Sequence, residues 1–126
     1  TGRRKNLVIT AGGRNLSPEW VEARYRELGF LREAAVIAEG LPEVHGLFVV
    51  ETGLDHHSAR RRIEEFGRTR LSDIERAAVI HLMSADDPDY ARLFTVTGRP
   101  RRDAVRSHVL TGRPAATPPT QIKETA

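Results

Sequence analysis

Two stretches of this chain set cations beside glycines, an arrangement that suits an anionic ligand. The first is Thr1-Gly2-Arg3-Arg4-Lys5-Asn6-Leu7-Val8-Ile9-Thr10-Ala11-Gly12-Gly13-Arg14-Asn15-Leu16-Ser17-Pro18. A basic turn leads into a short apolar strand, then a glycine pair, then a serine–proline step. Glycines stand where a backbone turns sharply or lies close to another molecule. Arg3, Lys5 and Arg14 add positive charge there, and phosphate is the commonest anion such a surface takes. The second stretch is Leu93-Phe94-Thr95-Val96-Thr97-Gly98-Arg99-Pro100-Arg101-Arg102. Taken alone, Lys5 reads equally as an exposed charge before a strand, and Arg99 as a solvated loop arginine. Gly12 and Arg14 read equally as an ordinary tight turn with a surface arginine.

Other charged groups carry weaker signals. Arg102 and Arg106 are spaced i,i+4 and share a helical face, which suits either phosphate, a partner domain or simply solvent. His56 and His57 are adjacent and point apart on a helix; with no third ligand at suitable spacing, no metal site is expected. Thr97-Gly98-Arg99-Pro100 recurs as Thr111-Gly112-Arg113-Pro114, but no apolar strand precedes the second copy, so the repetition reads as chance.

The elements that must position these residues follow from pattern. Leu7 to Thr10 predicts a strand ended by Gly12-Gly13. Ser17-Pro18 predicts a helix start, with Trp20, Val21, Tyr25 and Leu28 on one apolar face and Gly29 as the stop. Trp20 is expected in the core or at a domain interface. Glu33 to Ala38 and Gly46 to Glu51 predict two buried strands joined through Gly40-Leu41-Pro42. A helix is predicted from His57 to Gly67, capped by Asp55 or Ser58, with Ala59, Ile63 and Phe66 inward. Ala77 to Met83 predicts a third strand, Asp86-Asp87-Pro88-Asp89 an acidic loop, and Asp103 to Leu110 a helix. The expected fold is α+β: a short N-terminal hairpin, then a three-stranded sheet packed with about three helices. Residues 1–110 are expected to form the domain, and 111–126, rich in proline and small polar residues, a flexible tail.

Composition bounds the function. The chain has 126 residues, 39% hydrophobic and 29% charged, enough for one globular domain with a modest core. It has no cysteine, which excludes disulfides, thiolate-bound zinc and thiol catalysis and fits a reducing compartment. No run of about 20 apolar residues predicts a membrane span, and no charged-then-apolar leader is visible. Cytoplasm is the expected location. The net charge of +3 is carried almost wholly by arginine, since lysine occurs only at Lys5 and Lys123. Acidic residues are interspersed and no aromatic stacking platform stands out, so nucleic acid is not the expected partner.

Both glycine–cation stretches resemble motifs of the small C-terminal domain of the adenylate-forming ligases, which include acyl-CoA synthetases, luciferases and peptide-synthetase adenylation domains. The family's first motif is matched by Gly2-Arg3-Arg4-Lys5, Leu7 to Thr10, Gly12-Gly13-Arg14-Asn15, Pro18 and Glu22; the wording is most similar to the long-chain acyl-CoA synthetase branch. The second stretch resembles the family's last motif. Together they bracket residues 2–102.

The resemblance implies a mobile lid that closes over ATP and Mg held mainly by a larger N-terminal adenylation domain, in the same or a separate chain. That domain would also hold the acyl substrate, with coenzyme A or the phosphopantetheine of a carrier protein as the acceptor. Arg99 falls at the position of the family's adenylation lysine, and Lys5 at the hinge. Arg3, Gly12 and Arg14 fall in the nucleotide- and coenzyme A-facing region, where Gly12 would line the pantetheine tunnel. The sequence departs from the pattern at Arg99, where lysine is usual, and at Trp20, which replaces a carboxylate. Without the larger domain the chain alone is expected to be inactive, and to be a fragment of a longer enzyme or a split lid. Two other readings stay open: a catalytically decayed lid serving as an interaction module, and a basic nucleic-acid-binding domain.

Overall fold

The computed structural model describes residues 7–111. Strands β1 (Val8–Ile9) and β2 (Asn15–Leu16) form an antiparallel hairpin. Helix α1 (Pro18–Tyr25) follows, capped by the Ser17 hydroxyl, which accepts from the Trp20 amide. Strands β3 (Leu31–Ile37), β4 (His45–Val50) and β5 (Val79–Ser84) make the main sheet in that order, β3 antiparallel and β5 parallel to β4. The parallel pairing requires a crossover, supplied by helix α2 (His56–Arg70), whose Asp55 cap accepts from the Ser58 amide at 2.9 Å. Helices α3 (Tyr90–Leu93) and α4 (Arg102–Thr111) close the described chain.

The expected α+β plan is present, but the helices cover both faces of the sheet. Central strand β4 is buried on either side, which is why it reads as the unbroken apolar run Leu47-Phe48-Val49-Val50. Phe48 and Val50 meet Val21, Tyr25, Ala59, Ile63 and Phe66 of α1 and α2. Leu47 and Val49 meet Leu93, Phe94, Val105 and Val109 of the α3–α4 side. Tyr25 anchors the first cluster. Its ring meets Phe48 edge-on at 4.8 Å between centroids, and its hydroxyl accepts from the Ala77 amide at 2.9 Å.

Several sequence expectations shift. Helix α1 stops at Tyr25; single turns, not helix, carry the chain from Arg26 towards Gly29. Trp20 is 50% exposed and lies outside the core, with Arg24 stacked over its ring at 5.5 Å. Strand β3 begins at Leu31, two residues early, because a bulge at Arg32 resets its register. Strand β5 begins at Val79 rather than Ala77, since Ala77 and Ala78 instead serve the Tyr25 and Val44 contacts. An additional one-turn helix, α3, follows the acidic loop, and α4 reaches Thr111. No helix among the described residues is long and apolar enough to cross a membrane.

Candidate functional site: two arginine-bearing turns

The two glycine–cation stretches fold into the same five-residue turn. In the first, the Thr10 amide donates to the Arg14 carbonyl at 3.0 Å and the Gly13 amide to the Thr10 carbonyl at 2.9 Å. The Arg14 amide donates to Thr10 Oγ1 at 3.2 Å. In the second, the same three bonds run Thr95 to Arg99 at 2.8 Å, Gly98 to Thr95 at 2.9 Å, and Arg99 to Thr95 Oγ1 at 3.1 Å. Each turn needs a left-handed residue just before the arginine, and glycine supplies it: Gly13 has φ 83° and Gly98 φ 89°. The signal is Thr-x-x-Gly-Arg at 10–14 and 95–99, a repetition visible in the sequence but overlooked beside the tail copy at 111–114.

Both turns present an exposed arginine whose guanidinium makes no hydrogen bond or ion pair among the described residues. A cation held on a rigid turn and left without an internal partner is available to an anion. The turns lie at opposite ends of β3. The hairpin turn is tied past the end of β3, Ala11 amide to Leu41 carbonyl and Gly40 amide to Ile9 carbonyl, at 2.9 and 2.8 Å. The other turn rests against Glu33, near the start of the strand. Gly12 and Arg14 line a cavity of about 320 Å³ together with Glu43, Asp73 and Arg76; Arg99 does not reach it. Gly12 itself stands in open space, a Cβ there meeting only Thr10 Oγ1 at 3.9 Å. Arg3 and Lys5 lie outside the described residues.

Arg102, the last residue of the second stretch, is turned inward. Its Nη2 donates to Glu22 Oε1 at 3.0 Å and its Nη1 to Glu22 Oε2, while the Val36 amide donates to Glu22 Oε2 at 2.7 Å. Nη1 also reaches the Val36 carbonyl at 3.2 Å. Because β3 is the outer strand, Val36 has no strand to pair with on this side; the ion pair satisfies its amide and carbonyl instead. Arg106 donates to the Glu39 carbonyl at 2.9 Å. The i,i+4 arginines thus brace the fold and do not form a solvated face. Burial pushes the Glu22 carboxyl above its ordinary range, opposed by the Arg102 guanidinium and the Val36 amide.

A histidine pair escaped sequence reasoning, which fixed on His56 and His57. His45 on β4 and His81 on β5 stack with ring centroids 5.4 Å apart and Nδ1 to Nε2 at 3.2 Å. They are far apart in sequence, so only the parallel pairing brings them together. Among the described residues no group of three or more possible ligands could hold a metal ion. Burial, followed by His45, His108 and Arg60, lowers His81 to about 4 from 6.5. Such a base is neutral when folded but protonated when unfolded, so stability is lost as pH falls from 6.5 through 4. We expect the stability of this chain by urea titration to fall by about 2 kcal/mol between pH 7 and 4 from this group, allowing for partial solvent screening. The fall should be smaller in His81→Gln; an equal fall in both proteins would assign it elsewhere.

No family model matches the chain. A 51-residue segment, 40% of the chain and 8% of the relative, is 31% identical to the long-chain-fatty-acid–CoA ligase FadD15 of Mycobacterium tuberculosis. Among solved structures, the adenylation domain of a carboxylate reductase from Mycobacterium chelonae superposes with TM-score 0.65 at 14% identity, over 86% of this chain and 19% of that one. A Mycobacterium tuberculosis fatty acyl CoA synthetase gives TM-score 0.61 at 19% identity, over 90% and 21%. The anthranilate CoA ligase AuaEII, solved with anthranoyl-AMP, gives 0.63 at 21%, over 84% and 20%. The chain spans about a fifth of each solved relative, and at these identities the likeness is one of fold.

Proposed function

We propose that this chain is the C-terminal lid of an acyl-activating, adenylate-forming ligase, inactive without a larger adenylation domain. The carrying observation is Arg99, an exposed cation on a hydrogen-bonded turn, in a fold shared with part of ligases of this kind. In this reading a fatty acid or similar carboxylate attacks the α-phosphate of ATP, forming the acyl-adenylate and expelling pyrophosphate. A thiol then displaces AMP to give the thioester. ATP, held with Mg mainly by the larger domain, would supply the adenylyl group. Arg99 meets the approaching anions and lowers the barrier by a charge already oriented before reaction. Lys5 serves as the hinge. Arg3, Gly12 and Arg14 face the nucleotide and coenzyme A, or a carrier arm, in the thioester-forming arrangement. Residues 1–110 make the domain, and the location is cytoplasmic.

The residues present fit such a division of labour. They offer cations without partners among the described residues, which hold no serine/threonine/glycine-rich phosphate loop. The test replaces the segment of the FadD15 ligase that aligns with this chain by residues 1–111. ATP–pyrophosphate exchange with a fatty acid should exceed that of the truncated large domain, and the chain alone should show none. A chimera no faster than the truncated enzyme would overturn the reading.

A further inference from the structure

The two matching turns differ in one respect. Around Gly13 an added Cβ would meet nothing within 4 Å. Gly98 instead lies directly on Glu33, where a Cβ would stand 2.5 Å from Oε2 and 3.1 Å from Oε1. The Tyr90 hydroxyl donates to that same Glu33 Oε2 at 3.2 Å. The Tyr90 ring packs on Phe94 with centroids 5.6 Å apart, and Phe94 bridges to Pro100 across the base of the turn. The pair thus grips the turn at its base and at its glycine. Burial and the neighbouring Glu33 charge hold the Tyr90 hydroxyl above its ordinary range, which keeps it a donor at neutral pH.

The hairpin turn at 10–14 closes with the same three hydrogen bonds and no carboxylate beneath its glycine. The turn therefore forms without a seat. What Glu33 adds at 95–99 is the place of the turn relative to the sheet. We propose that Glu33, held by Tyr90, is the positioning residue of Arg99, fixing the direction in which the guanidinium leaves the fold. This rests on the reading of Arg99 as the cation of the adenylation step. Positioning matters because a group displaced by about 1 Å from a reacting centre can lose about 100-fold in rate.

The test compares Glu33→Ala, Glu33→Gln, Arg99→Ala and the Glu33→Ala/Arg99→Ala double variant in the complete ligase. Glu33→Ala should lower kcat for ATP–pyrophosphate exchange by about tenfold, with KM for ATP little changed. Thioester formation from preformed acyl-adenylate should be unaltered. Glu33→Gln keeps the shape and an acceptor for Tyr90, so it should restore most of the rate. Because Glu33 acts through Arg99, the double variant should be no slower than Arg99→Ala. A further tenfold loss in the double variant, or equal losses in both half-reactions, overturns the proposal. If Arg99→Ala leaves exchange intact, the catalytic reading fails, and amide NMR relaxation of the 126-residue chain judges the seat. Order parameters of residues 95–99 should drop below about 0.6 in Glu33→Ala while those of 10–14 hold; unchanged values overturn it.

Discussion

On the lid reading proposed above, Arg99→Ala in the FadD15 chimera should slow the adenylation half-reaction by about 10²–10³-fold, the scale for deleting one preoriented group that stabilises developing charge. Pyrophosphate exchange measures it directly. Thioester formation from supplied acyl-adenylate should stay near normal if, as proposed, the turn at 10–14 and not the one at 95–99 faces the nucleotide in that step. Equal losses in both steps would place Arg99 in stability instead, yet its side chain is exposed and its turn closes through backbone and Thr95 contacts alone. Arg99→Lys separates a working arginine from a decayed site. Arginine presents a planar fork and lysine a point charge, so the exchange is not conservative. If the fork is used, lysine lowers the rate; if exchange appears only with lysine, the lid has decayed.

How much of this was legible in the sequence depended on how local each signal was. The strands were readable because β4 is buried on both faces and must be apolar throughout, and because Gly40 and Gly53 mark the adjoining loops. The Asp55 cap and the Ala59–Ile63–Phe66 stripe were likewise local, one a hydrogen bond three residues long and the other a helical period. Long-range partners left no such trace. Glu22 could be read only as a carboxylate of the resembled motif, and its burial against Arg102, 80 positions away, left no local trace. Trp20 is expected in the core or at a domain interface, and the core half of that expectation fails because Val21 and Tyr25 already fill that side of α1. The two turns are an intermediate case: the repeated Thr-x-x-Gly-Arg was in plain view, but Gly12 drew the attention that belongs to Gly13, whose φ of 83° makes the turn possible. That one turn is seated on Glu33 and the other is free could be learned only from the fold.

Removing Arg102 should damage stability more than any other single change considered. Arg102→Met keeps the length and apolar stem of the side chain but strands Glu22, 3% exposed, without its counter-charge. Breaking a fully buried pair from one side typically removes about 3–5 kcal/mol; with 36% of the Arg102 side chain exposed, solvent screens the loss here to about 2–3 kcal/mol. Here it also frees the Val36 carbonyl on the outer edge of β3. The pH dependence identifies the cause. Burial already raises the Glu22 carboxyl, and without the guanidinium it rises further. An acid raised in the folded state takes up its proton on folding, so the variant loses stability as pH rises from the unfolded value of 4.5 through the folded one. Urea titrations should therefore show a deficit that grows from pH 5 to pH 8. In Glu22→Gln/Arg102→Met no carboxylate is left to strand, so the deficit should be smaller and flat with pH. A deficit in Arg102→Met that is equally flat would mean that the arginine acts by packing alone, and that the charge on Glu22 plays no part in holding α1, β3 and α4 together.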